Sequence, residues 1–250
     1  MAATGMMAED AAQQVIAQNL ANVSTNGYKQ DVPIFKSFEE NLIAVANESG
    51  EMQSDLGAMG NGAEFQTAIT DFSQGPLKQT GNPLDLALTG NAFLGIQTVS
   101  GTCYSRDGAL TISSGGVLVQ AGTGLPVVSD RGTQIQVPVK AASIRVGPDG
   151  TVEADGKAVA RIGLFAITMA EGPKKIGANL VETTIAPPQV DTRLDPSAGV
   201  RSGYIEGSNV NIIKQMVTMI AGLRAYEANS KALQSHDTVE DKSVNQIGKV

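Results

Sequence analysis

Two helical apolar stripes, one at each end of the chain, constrain this sequence more than anything between them. Near the C-terminus Ile212, Met216, Met219, Leu223, Tyr226, Ser230, Leu233 and Asp237 alternate four and three residues apart, the spacing of a coiled-coil seam. Ile213, Val217 and Ile220 widen that seam to a face, and no proline interrupts it. Gly207, Ser208, Asn209 and Asn211 stand just ahead, where a turn and side-chain oxygens that accept from orphan N–H groups would start a helix. The pattern over 209–236 predicts a helix of about six to eight turns. At the other end Ala8, Ala12, Val15, Ile16, Leu20 and Val23 share one helical face, and Asn26-Gly27 offers a left-handed stop. A second, shorter helix follows from that pattern.

Either stripe has two readings. Most amphipathic helices bury their apolar face in their own domain. The alternative is intermolecular burial, and the position of both stripes at the chain ends, where a monomer usually has its least ordered residues, favours it.

Between the stripes the sequence turns to short β segments. Residues 81–190 are rich in glycine and β-branched residues, and turn pairs recur at Gly81-Asn82-Pro83, Asp107-Gly108, Ser114-Gly115-Gly116, Asp149-Gly150 and Asp155-Gly156. This predicts hairpins in an all-β domain. Leu84, Leu86 and Leu88 alternate, as do Ile144 and Val146; Ile96–Tyr104 is an alternating run, and Arg161–Met169 reads as a further strand. With no tryptophan and few aromatics, the core is expected to be Val, Ile and Leu. Glu48–Gly62 is polar with glycines at 50, 57, 60 and 62, and reads as an adaptable loop. Pro187–Gly199, with Asp191, Arg193, Asp195 and Pro196, reads as an extended connector back to the last helix. The fold class that results is mixed α and β, with discontinuous terminal helices forming a coiled coil and with a central all-β domain. Its parts are a terminal helical assembly domain (1–40 and 206–250), a connecting inner β region (41–80 and 190–205) and a central β domain (81–189).

Composition removes several functions. A net charge of −7 with scattered basic residues argues against a nucleic-acid surface, which needs clustered Lys and Arg. Arg201, Lys214, Arg224 and Lys231 read as solvated helix faces. The single cysteine, Cys103, closes no internal disulfide and falls in an apolar run as a structural thiol; with the single histidine, His236, it gives no zinc set. No window reaches the length of a membrane span, and the N-terminus lacks the basic-then-apolar order of a secretory signal. By itself that reads as a cytoplasmic protein.

Catalytic constellations are weak. Neither a phosphate loop nor a dinucleotide fingerprint is present. A Ser-His-Asp hydrolase would rest on His236, on a terminal helix. Asp85 with Asp107 would serve a glycosidase only at a separation that sequence does not give. The expectation is no enzyme, no cofactor and no metal.

Three segments then point to a family. Asn19-Leu-Ala-Asn-Val23 followed by Ser24-Thr-Asn-Gly-Tyr-Lys29 resembles the N-terminal signature of bacterial flagellar axial proteins, which build rod and hook. Thr80-Gly-Asn-Pro-Leu-Asp-Leu-Ala-Leu88 with Tyr104-Ser-Arg-Asp-Gly108 resembles the start of the β domain in flagellar basal-body rod proteins. Ser202-Gly-Tyr-Ile-Glu-Gly-Ser-Asn-Val-Asn211, running into Met216–Lys231, resembles the C-terminal signature of the same group. The segments occur in the family's order and span nearly the whole chain.

The resemblance implies a structural subunit that polymerises through its terminal helices into the axial tube, an inner coiled-coil tube with β domains outside, transmitting torque across the cell envelope. Ala8, Ala11, Ala12, Ala17 and Ala21 would permit close helix approach. It implies self-association, other rod and hook proteins, the flagellar export apparatus and the rings around the rod as partners, with no nucleic acid and no membrane insertion. The location implied is the rod within the periplasmic space, reached by type III export without a cleaved signal, which replaces the cytoplasmic reading. The assembly residues it implies are Asn19, Leu20, Ala21, Asn22, Val23, Gly27, Tyr28, Gly207, Asn209, Met216, Met219, Leu223, Tyr226 and Leu233. Among them Asn19 and Asn22 would tie helix ends or neighbours, Tyr28 would pack on a neighbour, Gly207 would allow the reversal into the last helix, and Ser208, Asn209 or Asn211 would cap it.

Within the family the length fits a rod subunit rather than a typical hook protein. Glu40–Phe65 is too short and polar for the ordered extension of the distal rod protein, and Gly163–Gly172 resembles the proximal one, whereas Arg224-Ala-Tyr-Glu227 suits the distal protein too. The proximal rod is the expectation and the distal rod the alternative. Family members usually carry several residues before an Ala-Ala-Thr-Gly segment, so Met1 reads as a truncation. Outside the family, the competing classes are an extracellular β binding module with helical oligomerisation tails and a hydrolase using Asp and Ser.

Overall fold

A computed structural model describes residues 2–37, 41–46, 52–59, 62–168, 172–177, 179–190 and 199–243. The chain divides into two units: one from residues 1–21, 31–71 and 211–250, the other from 22–30 and 72–210.

The first unit holds the helices α1 (Ala2–Ala21) and α2 (Ile212–Lys242) and the strands β1 (Asp31–Ser37), β2 (Asn41–Ala46), β3 (Met52–Met59) and β4 (Ala63–Thr70). The two helices run antiparallel, with Gly5 against Asn229 and Gln13 against Gly222, and Gln13 Nε2 donates to the Met219 carbonyl at 3.0 Å. α1 also packs on the ribbon of β1 and β4, which pair antiparallel from Asp31↔Thr70 to Ser37↔Ala63 with a bulge between Ile34 and Phe35. Pro33 is tolerated inside β1 because this ribbon has only two strands, so both are edges. β2 and β3 pair in the same antiparallel sense. The adaptable loop expected at 48–62 is therefore largely strand: Met52–Met59 finds ladder partners in Asn41–Ala46, which composition does not reveal. Residues 47–51 and 60–61 lie outside the described residues, as do 191–198 of the expected connector.

The second unit is all β. Its strands are β5 (Leu77–Gln79), β6 (Leu86–Thr89), β7 (Ala92–Thr98), β8 (Gly101–Ser105), β9 (Leu110–Ile112), β10 (Leu118–Gln120), β11 (Ile144–Val146), β12 (Thr151–Ala154), β13 (Lys157–Arg161), β14 (Leu164–Ala166), β15 (Lys174–Gly177), β16 (Leu180–Glu182), β17 (Gly199–Ser202) and β18 (Tyr204–Glu206). The largest sheet has the order β14-β7-β8-β16-β15, and β11-β12-β13 forms a second; β6 pairs with β17 and β5 with β18. Asp155 and Gly156, at φ 51° and 75°, make the tight β12–β13 turn that Asp-Gly announces, because that turn needs positive φ at both central residues.

Two expected strands break differently. Ile96–Tyr104 folds back at Val99-Ser100 into the β7–β8 hairpin, and Arg161–Met169 is interrupted at Ile162-Gly163 between β13 and β14. In β6 the expected alternation is absent: Leu86, Ala87 and Leu88 are all fully buried. A strand covered on both faces reads as a continuous apolar run. The core is aliphatic, with Leu86, Leu88, Leu94, Ile96, Leu118 and Val127 among its members. A smaller cluster of Phe93, Tyr104, Ile167 and Val181 lies apart, with Phe72 edge-on to Phe93 at 5.8 Å. Cys103 is buried as a structural thiol.

Candidate functional site

In the helical unit the two helices differ. α1 buries Ala8, Ala12, Ile16 and Asn19, four and three residues apart. α2 buries none of its 31 residues. Its half-covered positions are Gln215, Met219, Gly222, Ala225, Asn229 and Ser230, a face of polar and small side chains. A Cβ at Gly222 would lie 2.2 Å from Gln13 Nε2, so the helices approach closely at that point. Of the predicted seam only Met219 and Ser230 belong to this covered face. Ile212, Met216, Leu223, Tyr226 and Leu233 stay 40–50% exposed, and Ile213, Val217 and Ile220 51–76%. Leu20 is half-buried and Ala21 exposed. Among the described residues no helix is long and apolar enough to cross a membrane.

The ends of the helices are fixed by side-chain amides. Asn211 is the N-cap of α2, and its Oδ1 accepts from Lys214 N–H at 3.0 Å. Asn19 bonds both backbone groups of Asp31, donating to the carbonyl at 2.7 Å and accepting from the N–H at 2.9 Å. α1 stops at Ala21, before the expected Asn26-Gly27. The reason is local: Asn22 accepts from Thr25 through both its carbonyl and its side chain, drawing the chain into a turn that includes Val23.

In the β unit, three segments distant in sequence are braided together. Gly27 N–H donates to the Glu206 carbonyl at 2.8 Å, Gln30 N–H to Asn209 Oδ1 at 2.7 Å, and Gly207 N–H to the Pro76 carbonyl at 2.8 Å. Asn209 Nδ2 reaches both the carbonyl and the hydroxyl of Ser73 at 3.2 Å. Asn209 therefore joins segments instead of capping α2. Gly27, at φ 66°, is placed so that a Cβ would lie 2.4 Å from Asp107 N. Gly207 has no left-handed φ; the close approach falls on Gly75, where a Cβ would lie 2.2 Å from the Gly207 carbonyl oxygen. Tyr28, expected to pack on a neighbour, is 5% exposed within this unit, with Lys175 Nζ 4.1 Å above its ring.

At the centre of the braid is a buried charge cluster. Lys29 Nζ lies 2.6 Å from Glu206 Oε1, and Arg106 Nη1 lies 3.2 Å from Glu206 Oε2. The three side chains are 3%, 1% and 0% exposed, in the order Lys29, Arg106 and Glu206. Gly75 N–H also donates to Glu206 Oε1 at 2.8 Å, and Lys29 Nζ donates to the Ser73 carbonyl at 2.7 Å. Arg106 donates to the carbonyls of Leu88 and Gly90 and stacks 4.7 Å from the Phe93 ring centroid. Its Nε has no hydrogen-bond partner among the described residues, and Arg106 lines a small cleft of about 10 Å³ with Gly27, Phe93 and Asn179 among others. Burial pushes the Arg106 guanidinium down, and the Glu206 carboxylate pulls it back up. Each member stands in a segment the sequence singled out, Lys29 and Glu206 in the two end signatures, yet their pairing has no sequence signal, since 177 residues separate Lys29 from Glu206.

The carboxylates considered for catalysis have structural partners. Burial pushes the Asp107 carboxyl up, the Ala109 N–H it accepts from pulls it down, and Asp85 adds a smaller upward push. His236 lies exposed on α2. Among the described residues no group of His, Cys, Asp and Glu is arranged to hold a metal.

Comparison with known proteins covers this whole architecture. Residues 1–29 match the family described as flagella basal body rod protein, 87–154 the flagellar hook protein FlgE/F/G D1 domain, and 201–247 the flagellar basal body rod FlgEFG protein C-terminal family. The flagellar basal-body rod protein FlgG of Agrobacterium fabrum is 36% identical over 95% of this chain and 94% of the relative. That of Bacillus subtilis is 31% identical over 92% and 91%, and the flagellar basal-body rod protein FlgF of Caulobacter vibrioides 30% over 94% and 91%. With 30–36% identity to rod proteins over nearly the whole chain, and with both end signatures on the helices and the braid, the chain belongs to the flagellar basal-body rod protein family, as a structural subunit and not an enzyme.

Proposed function

We propose that this subunit polymerises through its terminal helices, which pack as a coiled-coil inner tube with copies of this chain and with other axial proteins of rod and hook. The observation that carries the reading is the uncovered stripe of α2, where large apolar residues stay 40% or more exposed along the helix. A contiguous apolar surface of that kind marks an interaction site, and burying it supplies the free energy of association. The β units then form the outer layer of a tube that carries torque. The subunit leaves the cytoplasm through the flagellar export apparatus without a cleaved signal and stands in the periplasmic part of the rod, within its surrounding rings.

Along the rod the proximal segment is the favoured position and the distal segment the alternative. Residues 40–65, too short and polar for the ordered extension of the distal protein, hold β2, β3 and the first residues of β4. Relatives bearing both rod-protein names match over nearly the whole chain. Counting this chain against a known rod component in purified hook–basal bodies decides it: a handful of copies places it in the proximal rod, several-fold more in the distal rod. Polymerisation itself is tested by sedimentation across a concentration series. Assembly above a threshold concentration that disappears on deletion of residues 212–243 is expected, and assembly that survives the deletion rejects the helix-driven reading.

A further inference from the structure

We propose that Asn26-Gly27 is a deamidation site that the closed braid keeps shut, so that the pair reacts with water only in chains whose braid is open. Every group involved belongs to the β unit, so the way the helices assemble does not enter. In an Asn-Gly pair the asparagine side chain is readily attacked by the next backbone nitrogen, because glycine puts no Cβ beside that nitrogen. Here glycine is required: φ at 27 is 66°, and a Cβ would lie 2.4 Å from Asp107 N and 2.5 Å from the Arg106 carbonyl carbon. The packing of the braid thus commits the sequence to a chemically labile pair.

The reaction is a hydrolysis and needs no oxidant or reductant. Gly27 N forms a bond to Asn26 Cγ and gives its proton to solvent, and the side-chain nitrogen leaves as ammonia. Water then opens the succinimide ring to aspartate or isoaspartate. Ring closure requires rotation about the Asn26 Cα–C bond, which swings the whole peptide group between 26 and 27 toward Cγ. In the braid that group is clamped at both ends: its N–H donates to the Glu206 carbonyl at 2.8 Å, and its carbonyl accepts from Asn179 Nδ2 at 2.8 Å. Tyr28 N–H closes the turn on the Thr25 carbonyl at 3.4 Å, and Gly27 itself is buried. Attack therefore has to wait for both bonds to break, and its rate follows the population of the opened segment. Isoaspartate adds a methylene to the backbone beside Gly27, where a Cβ already has no room, so a chain modified while open cannot remake the Gly27–Glu206 bond.

The measurement is the rate of deamidation at Asn26 in mildly alkaline buffer, read by peptide mass spectrometry. It is made on rods in purified hook–basal bodies and on the same rods unfolded in urea. Asn26 in the intact rods should react at least about tenfold more slowly than in the unfolded chain, as for a group that reacts only through local opening. Rates within about twofold of each other would overturn the proposal, whether both are fast or both slow, because the fold would then control nothing. Asn179→Gly separates the clamp from cover by neighbouring subunits. Glycine keeps the positive φ of 57° at 179 and leaves the Ser105 bond to the 179 carbonyl intact, removing only the amide that holds the Asn26 carbonyl. Rods carrying this variant should deamidate Asn26 several-fold faster than wild-type rods. An unchanged rate would show that something other than the clamp shields the pair, and would also overturn the proposal.

Discussion

The two units handle apolar surface in opposite ways. In the β unit Leu86, Leu88, Leu94, Ile96 and Leu118 are sealed within the chain, and even the charged side chains of the braid are dry. In the helical unit α1 buries four residues and α2 none, although α2 carries the longest apolar stripe in the sequence. A β strand leaves its backbone groups unpaired until another strand lies beside it, whereas a helix satisfies its own backbone hydrogen bonds and can leave its apolar face for another molecule. The covered face of α2 is the small and polar one, Gln215, Gly222, Ala225 and Asn229 with Met219, which lets α1 approach closely while the large side chains point elsewhere. On the proposed assembly, strength inside the subunit and strength between subunits come from different residues of one helix.

The contrast is most directly broken at Leu223. Leu223→Asp should abolish assembly in sedimentation while changing monomer stability by less than about 0.5 kcal/mol, as expected for a substitution on an exposed face. Normal assembly by that variant would end the division of labour between the two faces. The converse experiment is Leu94→Ala in the sealed core, which should cost about 2–5 kcal/mol in chemical denaturation through lost burial and a cavity. A cost below 1 kcal/mol would mean the β core is looser than its burial indicates.

Two smaller effects sharpen the comparison. Asn211→Ala removes the side-chain acceptor for Lys214 N–H and should cost α2 about 1 kcal/mol, read as reduced helicity in the monomer. The same change at Asn209 should leave α2 helicity alone and instead expose the Gln30 amide to exchange, since Asn209 joins segments. Last, Asp107→Asn probes a buried charge in the β unit. Burial holds the Asp107 carboxyl above its ordinary 3.8, so ionising it costs the native state. That cost is absent below the ordinary value and sets in as pH rises through the raised one. The variant should therefore melt slightly higher than wild type at neutral pH and equally at pH near 3. A lower melting temperature at neutral pH would show that the carboxylate charge stabilises the turn to Ala109.

Legibility followed the range of the interactions. The α2 stripe and the Asn211 cap are local, and so is the Asp155-Gly156 turn; each was readable from a few consecutive residues. The strand at Met52–Met59 was not, because its polar sequence reads as a loop until Asn41–Ala46 is laid beside it. The turn at Val99-Ser100 falls inside an alternating run, so one run concealed a hairpin. Tyr28 was read as packing on a neighbour, and only the structure brings Lys175 over its ring.

The sequence by itself determined the class of the molecule: helices at both ends, strands between, and signatures that place it among flagellar rod proteins. Periodicity, capping and turn chemistry act within a few residues, so they survive in a linear text. Tertiary structure decided which face of α2 is used inside the subunit, and that Lys29 and Arg106 meet at Glu206. Those outcomes join residues 100, 177 and 206 positions apart, and such contacts depend on how the intervening chain packs rather than on any local preference.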